Sequence, residues 1–280
     1  RAIGAHGQTV RHRPQSGFTV QLNAPALLAE LTGIDVTADF RSRDMAAGGH
    51  GAPLASMFHV AAFSGAQPRA VINIGGISNL TGLPGDRSGG NVIGFDCGPG
   101  NLLLDHWTQR HFAMPFDRGG AIAASAAPDQ ELLDVLLAEP FLDESPPKST
   151  GRELFSPEWL SRAIGARQLD AAVVLATLTR LTAVAIARSI DRWFAAAADM
   201  VVCGGGARNP TLLQMLAGEC APRPVVASTA LGVEPDHVEA LAFAWLAHAH
   251  VNHQSGNVPS VTGARGKRVL GALYPAKCAA

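Results

Sequence analysis

Val71-Ile72-Asn73-Ile74-Gly75-Gly76-Ile77-Ser78-Asn79-Leu80 is an apolar run that breaks at two glycines and returns as a mixed polar and apolar run. Residues 70–74 read as a buried strand, and the paired glycines read as its turn. Two interpretations follow. The segment is a β-hairpin with a Gly-Gly turn, or the glycines let backbone N–H groups approach an anion because no Cβ intervenes. Under the second, Asn73, Gly75, Gly76, Ser78 and Asn79 are candidate nucleotide contacts.

A second constellation lies about one hairpin further along, Gly94-Phe95-Asp96-Cys97-Gly98-Pro99-Gly100-Asn101, ahead of a helical pattern over residues 102–111. A strand over 92–96 is expected to deliver Asp96 at its C-terminal end, where open α/β sheets carry their ligands. A helix N-terminus nearby favours the ionised carboxylate that a base requires. The alternative is that Asp96 only caps the turn. Gly98, Gly100 and Asn101 join the nucleotide candidates.

The third constellation is Val201-Val202-Cys203-Gly204-Gly205-Gly206-Ala207-Arg208-Asn209-Pro210. A strand runs into three glycines and then a helix. Gly204, Gly205, Gly206 and Asn209 are suited to the adenosine or phosphate of a nucleotide. The spacing departs from G-x-G-x-x-G, and no G-x-x-x-x-G-K-[ST] is present, so neither a dinucleotide site nor a P-loop is indicated. Two glycine-rich strand turns, each followed by a helix, suggest a nucleotide held between lobes.

Strands are expected at 19–22, 70–74, 92–96, 200–203 and 225–227. Helices are expected at 24–32, 102–111, 130–137, 171–198, 210–217 and 238–248, with Asp170 as a cap for the long one. This alternation favours an α/β fold. Residues 82–90 and 253–259 read as exposed turns, and 144–148 as a Pro-rich loop.

With 280 residues, 47% hydrophobic and 16% charged, the chain has enough apolar sequence for two domains with cores. A net charge of -1 without basic runs argues against a nucleic-acid partner. The most apolar windows are interrupted by Arg, Asp or Gly, and no membrane span or signal peptide is expected. Cys97, Cys203, Cys220 and Cys278 lack metal-ligand spacing, so reduced thiols in a cytoplasmic setting and no metal site are expected. The chain opens at Arg1 in apparent core sequence, which suggests an incomplete domain.

Several blocks, in order along the chain, carry a resemblance. They are Ile3-Gly4-Ala5-His6-Gly7-Gln8-Thr9, Ala38-Asp39-Phe40-Arg41-Ser42-Arg43-Asp44, Gly48-Gly49-His50-Gly51-Ala52-Pro53-Leu54, the three constellations above, Pro147-Lys148-Ser149-Thr150-Gly151-Arg152-Glu153, residues 232–246 and Leu270-Gly271-Ala272-Leu273-Tyr274-Pro275. Together they resemble the anhydro-N-acetylmuramic acid kinase family. The resemblance implies two ribonuclease-H-like lobes around a nucleotide cleft, as in the actin/hexokinase/heat-shock ATPases. Residues 1–67, with 246–280 packing back, would form the first lobe, incomplete at its N-terminus; 68–245 would form the second. It implies opening of the 1,6-anhydro bridge of anhydro-N-acetylmuramic acid and phosphorylation of O6, with ATP and Mg²⁺, in a cytoplasmic homodimer.

The resemblance places the catalytic aspartate on Asp96, and sugar contacts on His6, Gln8, Thr9, Arg43 and Glu239. Arg43 is suited to fork the lactyl carboxylate, unless it pairs with Asp39. Glu239, on an apolar helix, would need a partner if buried. No segment matches the G-T-S-x-D-G-x-D phosphate loop of the family, so kinase activity of the chain by itself is doubtful. The rival readings are a phosphorylation-incompetent sugar-binding module, or a related kinase acting on acetate or a hexose.

Overall fold

In a computed structural model that describes residues 1–86 and 89–276, the chain forms β1 (Ala2–Gly4), β2 (Gln8–Arg13), β3 (Phe18–Leu22), α1 (Pro25–Thr32), β4 (Asp35–Ala38), α2 (Ser42–Ala46), α3 (Ala55–Phe63), β5 (Arg69–Ile74), β6 (Ile77–Leu83), β7 (Ile93–Pro99), α4 (Asn101–Phe112), α5 (Ala121–Ala124), α6 (Gln130–Leu137), α7 (Pro157–Ile164), α8 (Ala171–Trp193), β8 (Asp199–Cys203), α9 (Pro210–Cys220), β9 (Val225–Ala227), α10 (Val238–Val251), α11 (Pro259–Thr262) and β10 (Ala272–Tyr274). Two compact units result. Arg1–Ser64, Asn91–Gly94 and the chain from His237 onward make the first; Gly65–Gly90 and Phe95–Asp236 make the second. The helix expected to end the second lobe at 245 is one continuous α10, and it belongs to the first unit from its start.

The second unit is built on a five-stranded sheet in the order β7-β6-β5-β8-β9. β5 pairs antiparallel with β6 and parallel with β8, and β8 pairs parallel with β9. Three consecutive strands followed by two added on the far side of the first is the α/β arrangement expected of a ribonuclease-H-like lobe. Ala70, Val71, Ile72 and Ile74 of β5 have no exposed surface, as a central strand covered on both faces requires. At the start of the β5–β8 pair, Arg69 forks Asp199 through Nε and Nη2 at 2.8 and 2.7 Å.

α8 is the core helix of this unit, burying Leu175, Leu178, Leu181, Ile186 and Ile190 among others. By length and composition it is apolar enough to cross a membrane, contrary to the expectation of no such stretch, but most of its apolar window is buried inside the unit. It ends at Trp193, short of 198, because the chain must turn toward β8: the Ala198 amide already bonds the carbonyl of Pro68, just before β5. α6 starts where Asp129 accepts the Leu132 amide at 2.7 Å and buries Leu132, Leu133, Leu136 and Leu137.

In the first unit β4 lies between β1, parallel to it, and β10, antiparallel. Phe40, Leu54, Leu246 and Leu270 form its core cluster. The hairpin β2–β3 is patterned in reverse. Val10, Phe18, Val20 and Leu22 are exposed, while Thr9, His12, Thr19 and Gln21 are half-buried and bonded to one another. The segment 253–259 is not an exposed turn, since Gly256 and Asn257 are buried. Of 82–90, Gly82, Leu83 and Gly85 are buried, and residues 87–88 lie outside the described residues. Cys97, Cys203 and Cys220 are free and buried; Cys278 lies outside the described residues.

Candidate functional site

The Gly75-Gly76 turn closes the β5–β6 hairpin, with Ile74 opposite Ser78. Its carbonyls face the start of α4. Gly75 accepts the Asn101 amide at 2.8 Å, and Gly76 accepts the amides of Gly100 and Leu102 at 2.9 and 3.1 Å. The first amides of α4 are therefore satisfied by protein and are not offered to a phosphate. Gly100 is glycine because a Cβ there would collide with the Gly75 carbonyl. Ser78 is fully buried and donates its hydroxyl to the Gly98 carbonyl at 3.1 Å, which fastens the hairpin to β7. Ser78, Gly98 and Gly100 thus all make contacts within the protein at this turn. Asn73 and Asn79 face one another across the hairpin, and both are partly exposed.

The Gly204–Gly206 turn crosses the end of β5. Gly204 has φ 76, and a side chain there would meet Asn73 Oδ1 and the Ile74 carbonyl; one on Gly206 would meet the Ile74 side chain. Asn209 caps α9 by accepting the Leu212 amide at 3.0 Å. Beside this turn is a cavity of about 260 Å³. Asn101, Gly205 and Asn209 reach it, together with Leu104, Phe116 and Leu175 as apolar wall and Asp105, Thr179 and Arg208 as polar groups. Asp105 was not among the residues expected; partial desolvation pushes its carboxyl up to about 6, although the residue remains open to solvent. An apolar wall with convergent polar groups suits a ring with hydrogen-bonding edges.

Asp96 sits mid-strand in β7 rather than at its end, because the strand continues through Pro99. Its Oδ2 accepts the Thr150 amide at 2.9 Å, and its own amide donates to the Lys148 carbonyl at 3.1 Å. Oδ1 has no hydrogen bond among the described residues. Burial raises the carboxyl from 3.8 to about 6, against the opposing pull of the Thr150 amide and the Lys148 charge. Lys148 is buried with its Nζ on the carbonyls of Phe141 and Leu142 at 2.9 and 3.0 Å, over the Phe141 ring. Asp96 is not a turn cap, and the loop that fixes it comes from residues 148–150.

In the first unit, His6 stacks on Phe243 with ring centroids 4.4 Å apart. Its Nδ1 is 2.8 Å from the Gly7 carbonyl, and its Nε2 accepts from Arg41 Nε at 2.9 Å. The two bonds assign the proton to Nδ1 of a neutral ring. Burial, and then the Arg41 charge, hold His6 down at about 4. Both ring nitrogens are therefore occupied within the protein. Arg41 also donates Nη1 to the Gly51 carbonyl at 2.6 Å.

A polar pocket of about 330 Å³ adjoins His6, lined by Thr19, Gln21, Asn23, Asp39 and Ser42 among others. Thr9 reaches this cluster through Gln21, whose Nε2 donates to the Thr9 hydroxyl at 3.2 Å. Gln8 is exposed and turned onto the Thr9 carbonyl. Arg43 is exposed and makes no side-chain bond among the described residues; Asp39 bonds Ser42 instead of pairing with it. Glu239 is exposed near the start of α10, so it needs no buried partner, and its charge acts on Arg41. The structure thus brings His6 to the pocket, links Thr9 to it only through Gln21, and leaves Gln8 and Arg43 at the surface.

Two residues of this unit escape sequence reading. Arg41 immediately precedes α2 while Arg43 lies within it, a difference of two positions that the sequence does not mark. Asp44, with no exposed surface, accepts from the Gly51 amide at 2.8 Å, and from Asn257 Nδ2 and the Thr262 hydroxyl, both at 2.7 Å. Asn257 and Thr262 lie more than two hundred residues away, where no local pattern points to them.

The family described as Anhydro-N-acetylmuramic acid kinase matches residues 1–276. The chain belongs to the anhydro-N-acetylmuramic acid kinase family. It is 57% identical over 283 residues to an anhydro-N-acetylmuramic acid kinase of Burkholderia lata, covering 98% of this chain and 73% of that one. With the relative of the same name from Variovorax paradoxus it shares 56% over 286 residues, covering 98% and 76%. Among solved structures, the activator of the 2-hydroxyisocaproyl-CoA dehydratase from Clostridium difficile with bound ADPNP aligns at 16% identity and TM-score 0.45, over 71% of this chain and 66% of that one. Xylulose kinase from Rhodospirillum rubrum aligns at 14% and 0.45, over 70% and 40%.

Proposed function

We propose that the protein opens the 1,6-anhydro bridge of anhydro-N-acetylmuramic acid with water and phosphorylates O6 from ATP, and that Asp96 is the general base. One observation carries the assignment of the base. Asp96 is a partly buried carboxylate, raised to about 6, with one oxygen fixed by the Thr150 amide and the other free. Near neutral pH it is ionised yet basic enough to take a proton from water. Water then adds to the anomeric carbon, the bond from that carbon to O6 breaks, and O6 takes the γ-phosphoryl group as ADP leaves. The proton lost by water rests on Asp96.

Asn101, Gly205 and Asn209 with the apolar wall of their cavity are assigned to the nucleotide, and His6 and Thr9 with their pocket to the sugar. Mg²⁺ enters as the MgATP substrate. It is normally held by phosphate oxygens, waters and one or two carboxylates, and needs no protein cage. No group of three or more His, Cys, Asp or Glu among the described residues forms one. A homodimer and a cytoplasmic setting complete the reading and rest on family resemblance.

The test is to incubate protein, MgATP and the anhydro-sugar and follow the first product by NMR. Attack by water opposite the departing O6 gives a 6-phosphate that is initially a single anomer, of inverted configuration. An initial mixture, or phosphorylation of acetate or a plain hexose in preference, would overturn the assignment.

A further inference from the structure

The ring of His6 forms part of the wall of the polar pocket, with Thr19, Gln21, Asn23, Asp39 and Ser42 around it. Both ring nitrogens are engaged within the protein, Nδ1 by the Gly7 carbonyl at 2.8 Å and Nε2 by Arg41 Nε at 2.9 Å. Neither is left to turn toward a ligand. What His6 brings to the pocket is therefore its position and its charge state, and both are set from outside the pocket. Phe243, stacked with centroids 4.4 Å apart, sets the plane of the ring. Arg41 sets its protonation: Nε2 accepts the Arg41 bond through a lone pair that a protonated imidazole does not have.

Arg41 is not among the residues that line the pocket, and it is held from the far side. Its Nη1 donates to the Gly51 carbonyl at 2.6 Å. The Gly51 amide rests on Asp44 Oδ2 at 2.8 Å, and Asp44 Oδ1 takes Asn257 Nδ2 and the Thr262 hydroxyl, both at 2.7 Å. Hydrogen bonds therefore run without a break from the buried Asp44 through Gly51 and Arg41 to the pocket wall at His6. The other charges near this chain do not replace the Arg41 bond. His12 feels the charges of Arg41 and His50, Glu239 acts on Arg41, and Asp39, on the pocket wall, is bonded to Ser42.

We infer that Arg41 is a positioning residue: it does not touch the sugar, and it acts through His6, which it keeps neutral and in one orientation on the pocket wall. The inference rests on the functional reading above in that the ligand of this pocket is the anhydro-sugar. The low value of His6, about 4, agrees with it, since burial and then the Arg41 charge both oppose protonation. Without Arg41, Nε2 is free to take a proton, and a charged ring has reason to leave Phe243 for water.

The experiment joins two measurements on the wild type, R41M, R41K and the double variant R41M/H6F, each shown by thermal melts to be folded. Nitrogen NMR of the histidine rings reports the tautomer and protonation of His6, and calorimetry reports binding of anhydro-N-acetylmuramic acid, both from pH 8 to pH 5. In the wild type His6 is expected to stay neutral with its proton on Nδ1 throughout. In R41M it should lose that single tautomer and titrate closer to 6.5, and the ratio of the R41M to the wild-type Kd should grow about 3- to 10-fold from pH 8 to pH 5, because only the neutral fraction of His6 leaves the pocket competent. R41K keeps a charged donor and should restore the tautomer in part. R41M/H6F keeps a ring against Phe243 that cannot titrate, so its ratio should no longer change with pH. Unchanged His6 signals in folded R41M would overturn the positioning role, whatever happens to binding. A ratio that is constant with pH while His6 titrates would overturn it too, by showing that the state of His6 does not reach the sugar. If the wild type neither binds nor phosphorylates the sugar, the functional reading fails, and the His6 signals alone still decide whether Arg41 holds the ring.

Discussion

A carboxyl raised to about 6 is half ionised at that pH, so a reaction that needs Asp96 as a base should lose rate on acidification through about 6. The Asp96→Asn variant should turn over about 10²–10⁴-fold more slowly and still bind the anhydro-sugar, because an amide cannot accept the proton from water. Calorimetry beside a steady-state assay decides, and near-normal turnover would remove Asp96 as base. Lys148 supplies a second handle on the same group. Its charge stabilises the Asp96 carboxylate, so Lys148→Met should raise the Asp96 pKa further and move the acid limb of the pH–rate profile to higher pH. The same change leaves the carbonyls of Phe141 and Leu142 without their donor and should cost about 1–3 kcal/mol of stability. An acid limb that stays in place would show that the Lys148 charge does not reach the base.

At the scale of elements, α4 is seated by its N-terminal amides on the carbonyls of the Gly75-Gly76 turn, and Gly100 is the point of closest approach. Gly100→Ala should push α4 off the turn and cost about 1–3 kcal/mol, as overpacking does. A melting curve matching the wild type would show that the turn yields easily. The elements legible in sequence were those with one dominant signal. β5, β8 and β9 are short apolar runs, α6 has an Asp cap and a leucine face, and α9 begins with Asn209-Pro210. β1 has three residues, too few to show a period, and β2 reads Gln-Thr-Val-Arg-His-Arg, with its polar side turned inward. α7 was legible in principle, since Ser156 accepts the Trp159 amide ahead of Pro157. α3 is apolar all round with no side-chain cap, so neither a face nor a start marked it.

For the molecule as a whole, the sequence located the glycine turns and the aspartate but not their partners. Whether a glycine meets an anion or a neighbouring carbonyl is decided by contacts tens of residues away, as with Gly100 and Gly75. Which of two arginines is buried is decided by His6, thirty-five positions earlier. The same long-range packing sets the response to pH. Burial holds His59 at about 4, and burial with the Arg41 charge holds His6 at about 4, both below 6.5. Between those values the unfolded chain binds protons that the folded chain does not, so acid favours unfolding, by up to about 1.4 kcal/mol per pH unit for each group. Asp96 works in the opposite direction. Between about 6 and 3.8 the folded protein keeps a proton there that the unfolded chain has released, so its buried charge weakens the fold at neutral pH and the cost disappears on acidification. His6, His12, His59 and His111 are all held below the usual histidine range and outnumber the raised carboxyls of Asp96 and Asp105, so the net expectation is a melting temperature that falls from pH 6.5 toward 4. Asp96→Asn removes one of the two compensating groups. That variant should melt above the wild type at pH 7–8, lose the advantage as pH falls through about 6, and converge with the wild type near pH 4. Melting curves of both proteins at half-unit intervals test this. A difference between them that is constant with pH would mean that Asp96 titrates alike in the folded and unfolded chains, and that the raised carboxyl invoked for catalysis is not there.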